Sequence, residues 1–353
     1  MKPGSEEEAV RQVVERLAEL LDIPTESVAP SMNVAGAGVQ ADAVLRAGPH
    51  TFVVEWKGSG QLASVSRATE TVQRVAPRVD QRALPLVAVP YMPPGGQRLC
   101  QEAGVGWLDL SGNADISGPG LRILVQGQPD KFKGPGRPSS VFAPNSSRVA
   151  RWLLMNPDRL WTQREISEAT GLDAGYTSRT VSRLQEDGLV VRQRDGALRV
   201  VDPDLLLDAW REAYHFLSNQ MLLGHIPARS GEAALHQLAE ELGRRKLPFA
   251  ATGLAAAWLL TSFAGFRLTT IYLREAPKAG LLEGIGFREG SRGANVWLVV
   301  PKDEGVFHGA AEKNGVPCVH PVQAYLDLED HPERASEAAE ELRKELLRWS
   351  QHA

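Results

Sequence analysis

Apolar residues recur at helical spacing from the start of the chain: Val10, Val13, Val14, Leu17, Leu20 and Leu21 fall on one side of a helix over 6–21. The pattern then shortens. Ala41–Leu45 and Thr51–Trp56 read as strands joined by a hairpin connection, Arg46-Ala-Gly-Pro-His50. Helical spacing returns over Val65–Val75, and Leu84–Val89 is a continuous apolar run suited to a buried strand. A helix at Gly96–Ala103 and strands at Val105–Leu110 and Leu121–Val125 complete a mixed α/β unit over 1–130. Glycines and prolines with Lys131, Lys133 and Arg137 mark a linker over 131–144. Three helices (149–155, 162–170, 175–187) and two short strands (189–193, 197–201) follow, then a helical connector, Pro203–Leu222, within 203–230. The last unit, 231–353, holds helices at 232–245 and 253–263, strands at 268–273 and 295–300, and a charged helix from Pro332.

The middle segment, 145–202, has the order of a winged helix-turn-helix. Thr162 and Glu165 have capping-box spacing, Ile166 and Ala169 point inward, and Gly171 stands where a left-handed residue ends a helix. In the second helix Val181 and Leu184 form the buried stripe, which leaves Tyr176, Thr177, Ser178, Arg179, Thr180 and Arg183 facing outward. Arginine binds guanine through two hydrogen bonds and hydroxyls reach base edges or phosphates, so this set suits the major groove. Arg192, Arg194 and Arg199 flank a glycine-containing wing turn and suit phosphates. Winged helices also serve as protein-interaction or dimerisation modules, but the exposed arginines favour DNA.

Composition changes this picture little. The chain has 353 residues, 43% hydrophobic and 23% charged, with a net charge of −4. Affinity for nucleic acid must therefore come from a local basic face. Residues 145–201 supply one, with nine arginines against seven acidic residues. Cys100 and Cys318 stand far apart without metal-ligand spacing, which points to reduced thiols rather than a disulfide framework or zinc site. The acidic N-terminus lacks an apolar signal core, and the longest apolar stretch, Leu254–Phe263, is too short to span a bilayer. A cytoplasmic protein without membrane contact is expected.

The first unit carries candidate chemistry. Asp42 lies in the first strand of the hairpin, and Glu55-Trp-Lys57 closes the second. Side chains two apart on a strand share a face, so Glu55 and Lys57 lie together. Asp42 and Glu55 could hold Mg²⁺ while Lys57 polarises a water or neutralises a phosphate, and Glu15 on the first helix is the natural fourth member. This arrangement looks like the metal-dependent nuclease pattern, and the element order resembles restriction-endonuclease-like folds. The alternative is a retained fold without activity, in which Glu55 and Lys57 simply pair.

Further stretches carry a family resemblance: 103–114 (Ala-Gly-Val-Gly-Trp-Leu-Asp-Leu-Ser-Gly-Asn-Ala), 206–214, 249–258 (Phe-Ala-Ala-Thr-Gly-Leu-Ala-Ala-Ala-Trp), 319–328 and 337–342. With the winged helix among them, they look like the AbiEi-type antitoxins of type IV toxin–antitoxin systems, from about Leu84 onward. The resemblance implies a DNA-binding regulator, often of its own promoter, whose cognate toxin is a nucleotidyltransferase-like protein. Antitoxins of this type oppose their toxins without a stable complex, which leaves direct toxin binding open. The additional N-terminal unit departs from short members of the family. Thr252-Gly-Leu-Ala-Ala-Ala before a strand at 268–273 resembles a nucleotidyltransferase core, but that strand lacks the paired acidic residues such an enzyme needs.

The expected architecture is therefore α/β and multi-domain: a restriction-endonuclease-like unit, a central winged helix-turn-helix, and a nucleotidyltransferase-like, non-catalytic unit. The expected function is sequence-specific binding of double-stranded DNA by a transcriptional regulator of antitoxin type. It uses Tyr176, Thr177, Ser178, Arg179 and Arg183 on the recognition helix and Arg192, Arg194 and Arg199 on the wing, and needs no cofactor. Winged-helix proteins commonly bind two-fold sites, which makes a homodimer an expectation although no long heptad seam is present. The alternative is a Mg²⁺-dependent DNA nuclease using Asp42, Glu55 and Lys57, targeted by the winged helix.

Overall fold

The acidic start of the chain begins helix α1 (Glu6–Leu21) at once. The Ser5 hydroxyl accepts the Glu8 N–H at 3.2 Å, and Glu6, Glu7 and Glu8 sit at the positive end of the helix dipole. The computed structural model describes residues 3, 5–36, 39–132, 141–263 and 265–349, and the chain divides into two compact units, Met1–Pro138 and Ser139–Ala353. Of the expected linker at 131–144, residues 133–140, with Lys133 and Arg137, lie outside the described residues.

In the first unit seven strands form one sheet in chain order: β1 (Val28–Gly36), β2 (Val39–Ala47), β3 (His50–Trp56), β4 (Leu84–Val89), β5 (Gly106–Asp109), β6 (Ala114–Gly118) and β7 (Leu121–Val125). The outer pairs are antiparallel, and β3, β4 and β5 run parallel. The parallel steps need crossovers, which α2 (Leu62–Val79) and α3 (Pro94–Glu102) supply. Alternation splits the strands between two cores. Phe52, Val54, Leu86 and Ala88 pack with Val13 and Leu17 of α1, while Val53, Val87 and Val89 pack with Val65, Val72 and Val75 of α2. Burial on both faces is why these strands read as unbroken apolar runs. Strand β1 was not expected, although Pro30, Met32 and Val34 alternate with Ser31 and Asn33; the strand pairs with β2 from Val28–Ala47 to Gly36–Val39. Pro30 is compatible with its edge position.

The second unit begins with α4 (Ser147–Met155), α5 (Gln163–Thr170) and α6 (Ala174–Glu186), followed by the wing strands β8 (Val190–Arg192) and β9 (Leu198–Val200). Helix α7 (Pro203–Ala213) is shorter than the sequence predicts. It stops at Tyr214 (φ −89°, ψ 137°), and the apolar run Met221-Leu222-Leu223 lies instead in strand β10 (Gln220–His225). A short apolar run has no intrinsic preference between buried helix and buried strand. Pairing with β14 decides it here, from Gln220–Val300 to Gly224–Val296. The rest of the unit is α8 (Gly231–Arg244), β11 (Phe249–Thr252), α9 (Gly253–Thr261), β12 (Thr269–Leu273), α10 (Ala279–Gly284), β13 (Arg288–Glu289), β14 (Val296–Val300), β15 (Ala311–Lys313), β16 (Val316–Cys318), α11 (Pro321–Asp327) and α12 (Ala335–Leu346). Its seven strands form a mixed sheet in the order β13-β10-β14-β12-β11-β16-β15. Part of the expected connector is thus a sheet strand.

Candidate functional site

The helix-turn-helix is set by local chemistry. The Thr162 hydroxyl accepts the Glu165 N–H at 3.2 Å and the Glu165 carboxylate accepts the Thr162 N–H at 2.8 Å, a complete capping box. Gly171 takes the left-handed conformation (φ 67°) that ends α5, and Asp173 caps α6 by accepting the Tyr176 N–H at 2.8 Å. The buried residues of α6 are Thr177, Thr180, Val181 and Leu184, at i, i+3, i+4 and i+7. The sequence reading, which took only Val181 and Leu184 as the buried stripe, put Thr177 and Thr180 outward. Both are buried, and the Thr177 hydroxyl has no hydrogen-bond partner among the described residues. Arg179 is exposed, and Tyr176, Ser178 and Arg183 are half-buried. The Tyr176 hydroxyl lies 3.0 Å from Ser146 Oγ, and the Arg179 guanidinium is 5.8 Å from the Tyr176 ring centre. The first contact holds the start of α6 against the start of α4.

The wing is more than two strands. Trp161 and Leu198 exchange backbone hydrogen bonds at 3.0 and 2.7 Å, tying the segment before α5 to β9. The turn closes through Gln193 N–H to the Ala197 carbonyl at 2.7 Å and Ala197 N–H to the Asp195 carboxylate at 3.0 Å. Arg192, Arg194 and Arg199 are exposed around it, with Arg192 donating to the Gly196 carbonyl at 3.1 Å. The count of nine arginines overstates the basic face. Arg148 and Arg151 turn toward Asp303 and Gln323, and Arg159 and Arg164 pair with Glu165 and Glu168. The basic residues of α6 and the wing are Arg179, Arg183, Arg192, Arg194 and Arg199.

In the first unit the hairpin register, ending at Ala43–Val54, places Asp42 across from Glu55. Asp42 Oδ2 accepts the Trp56 N–H at 2.7 Å, and Glu55 Oε1 meets Lys57 Nζ at 2.5 Å. Glu55 is 6% exposed, and its second oxygen is buried without a hydrogen-bond partner among the described residues. Burial raises its pKa, with Lys57 pulling the other way. The helix carboxylate beside them is not the expected Glu15, which is exposed and pairs with Arg11 at 4.0 Å. It is Glu6, whose pKa is raised by a hydrogen bond to Asp42 and by repulsion from that carboxylate. Nine residues separate the two glutamates, roughly 13 Å along a helix, so only one can stand at this end of the sheet. The Ser5-x-x-Glu8 start signal marks that end of α1 in the sequence. Among the described residues no three His, Cys, Asp or Glu side chains gather to hold a metal ion. Magnesium asks for less: one or two carboxylates with waters and substrate phosphates suffice. Asp42 and Glu55, with its unpartnered oxygen, fit that demand.

Among the described residues no helix is long and apolar enough to cross a membrane. No curated protein matches the chain. Parts of it resemble solved structures: a repair endonuclease from Pyrococcus abyssi (13% identity, 31% of this chain and 48% of that one, TM-score 0.25). EndoMS in apo form is similar at 18% identity over 31% of this chain and 47% of that one, with a TM-score of 0.24. EndoMS in complex with dsDNA follows at 16% identity over 29% and 44%, with a TM-score of 0.23. The chain thus spans about half the length of these structures. Residues 142–197 match the model of the MarR family. Over residues 199–348 the chain matches the model of the AbiEi antitoxin, a transcriptional regulator of type IV toxin–antitoxin systems, and so resembles that family behind a MarR-type winged helix.

Proposed function

We propose that the protein is a regulator that binds double-stranded DNA sequence-specifically, in the manner of an antitoxin that controls transcription. The observation that carries this reading is the exposed Arg179 on α6 beside three exposed wing arginines, within a segment that matches the MarR family. Residues near the start of a recognition helix reach base edges, and wing cations meet phosphates. Thr177 drops out of the reading set because it is buried. Tyr176, Ser178, Arg179 and Arg183 remain, with two copies of the chain on a two-fold site as the expected arrangement. Residues 231–353 are read as nucleotidyltransferase-like and non-catalytic. Strand β12 is buried at every position and carries no acidic residue.

Replacing Arg192, Arg194 and Arg199 together by alanine is expected to weaken binding about equally for all duplexes. The slope of log K against log salt flattens by roughly two to three, because each phosphate no longer neutralised takes about 0.9 from it. Fluorescence anisotropy across a salt series measures this, and an unchanged slope rejects the wing as the phosphate clamp.

The unpartnered, buried Glu55 oxygen favours a second reading, a Mg²⁺-dependent nuclease in the first unit. Asp42 and Glu55 would hold the ion, which when bound supplies Lewis-acid activation of a phosphodiester. Lys57 neutralises Glu55 and offers its ammonium to a phosphate oxygen. Supercoiled plasmid incubated with Mg²⁺ tests it: cleavage by the native chain and at least 100-fold less by Lys57→Ala is the expected result. No cleavage, or equal cleavage by both, removes this reading and leaves the first intact.

A further inference from the structure

Two arginines one turn apart on α4 face the loop after β14 and helix α11 of the same compact unit rather than the solvent. Arg148 is a three-way tie. Its Nε lies 3.0 and 2.8 Å from the two carboxylate oxygens of Asp303, and its Nη2 lies 2.6 Å from Oδ2. Its Nη1 donates to the carbonyl of Thr170 at 3.3 Å, the last residue of α5 before the turn into α6. Asp303 is 8% exposed and also accepts the Gly305 N–H at 2.8 Å, which fixes its own position. A Cβ at Gly305 would collide with Asp303, Arg151 and Arg148, so the backbone is packed directly on the two arginines.

Arg151 is 2% exposed and donates through Nη2 to Gln323 Oε1 at 2.6 Å. The Gln323 amide donates to Asp327 at 2.7 Å and to the Tyr214 hydroxyl at 3.0 Å. The fully buried Asp327 also accepts from Tyr214 at 2.5 Å, from Tyr272 at 2.9 Å and from Thr252. This polar network runs from α4 through α11 to β11 and β12. Burying charge is expensive unless the geometry is fully determined, and such networks specify one arrangement of the elements they join.

We propose that Arg148 and Arg151 are positioning residues for DNA recognition: the loop after β14, through Asp303, and helix α11, through Gln323, hold α4 and the end of α5, and so set the pose of α6. The inference rests on the reading of α6 as the DNA-contacting helix. Neither arginine touches DNA in this scheme. The loop after β14 and helix α11 act on the reading head through them.

The test uses the full chain with two probes, a duplex recovered from genomic fragments by binding selection and a scrambled duplex of the same length. Arg148→Ala, Asp303→Ala, the double variant and Asp303→Glu are titrated well below their melting temperatures. The ratio of selected to scrambled affinity is expected to fall about 10-fold in each alanine variant, with scrambled binding and its salt slope unchanged. The double variant falls no further than either single one, because both remove the same tie. Asp303→Glu recovers part of the ratio. An unchanged ratio in Asp303→Ala overturns the proposal, as does a proportional loss on both duplexes, which marks simple unfolding. A native chain that retards no duplex at low salt removes the DNA-binding reading itself, and this proposal with it.

Discussion

Replacing Arg179 and Arg183 together by alanine is expected to erase sequence preference, bringing affinity for a selected duplex down to that for a scrambled one. Each well-placed arginine–guanine pair is worth about 1–3 kcal/mol, so removing two lowers specific affinity by roughly 100-fold or more. The helix itself should survive. Its N-cap, the Asp173 bond to the Tyr176 N–H, and its buried stripe of Thr177, Thr180, Val181 and Leu184 involve neither arginine. Circular dichroism separates failed recognition from failed folding, and anisotropy with both duplexes reads the preference. A double variant that still distinguishes the two duplexes rejects α6 as the reading helix. The wing variant differs in kind, because it weakens both duplexes alike.

The largest stability effect is expected at Trp210. Its side chain is fully buried, stacked on Phe142 at 6.1 Å with the planes 9° apart, and packed edge-on by Tyr214 at 6.5 Å. The Arg151 guanidinium lies 5.0 Å from its ring centre. Removing such a side chain costs its transfer free energy plus a cavity, about 3–5 kcal/mol for Trp→Ala. In a unit of this size that lowers the melting temperature by roughly 6–20 °C. Trp210→Phe is expected to lose less than half as much, because the indole N–H has no hydrogen-bond partner among the described residues. Thermal melts of the two variants against the native chain check the order. A Trp210→Ala melt indistinguishable from the native one removes Trp210 as the keystone between α4 and α7.

Asp327 sits in the same region, and burial pushes its pKa up to about 6 although four donors point at it. The same burial pulls His320 and His331 down to about 4 and lowers Arg151. An apolar setting disfavours charge of either sign, so the network keeps its carboxylate only through the density of donors around it.

The parts legible in sequence are those whose cause lies within a few residues. The capping box at Thr162 and Glu165, the left-handed Gly171 and the stripe through Val181 and Leu184 give the winged helix, since caps and helical spacing depend on near neighbours. Strand alternation likewise places Glu55 beside Lys57, whereas Asp42 stands opposite Glu55 because the turn closes over Gly48 and Pro49, shorter than the expected connection. Other features depend on partners far along the chain. Met221-Leu222-Leu223 became strand because β14 offered an unpaired edge, and β1 formed only against β2. Glu6 rather than Glu15 stands beside Asp42 because packing of α1 on the sheet selects which helix end arrives there. Thr177 carries an outward-looking residue type at an inward position. Arg148 and Arg151 look like part of a basic face until the loop after β14 and helix α11 present Asp303 and Gln323 to them. By itself, then, the sequence determined the elements set by near neighbours, the winged helix first among them, and where a reading helix begins. Tertiary structure decided which arginines face outward, because a side chain's direction only acquires a partner once elements distant in sequence have packed.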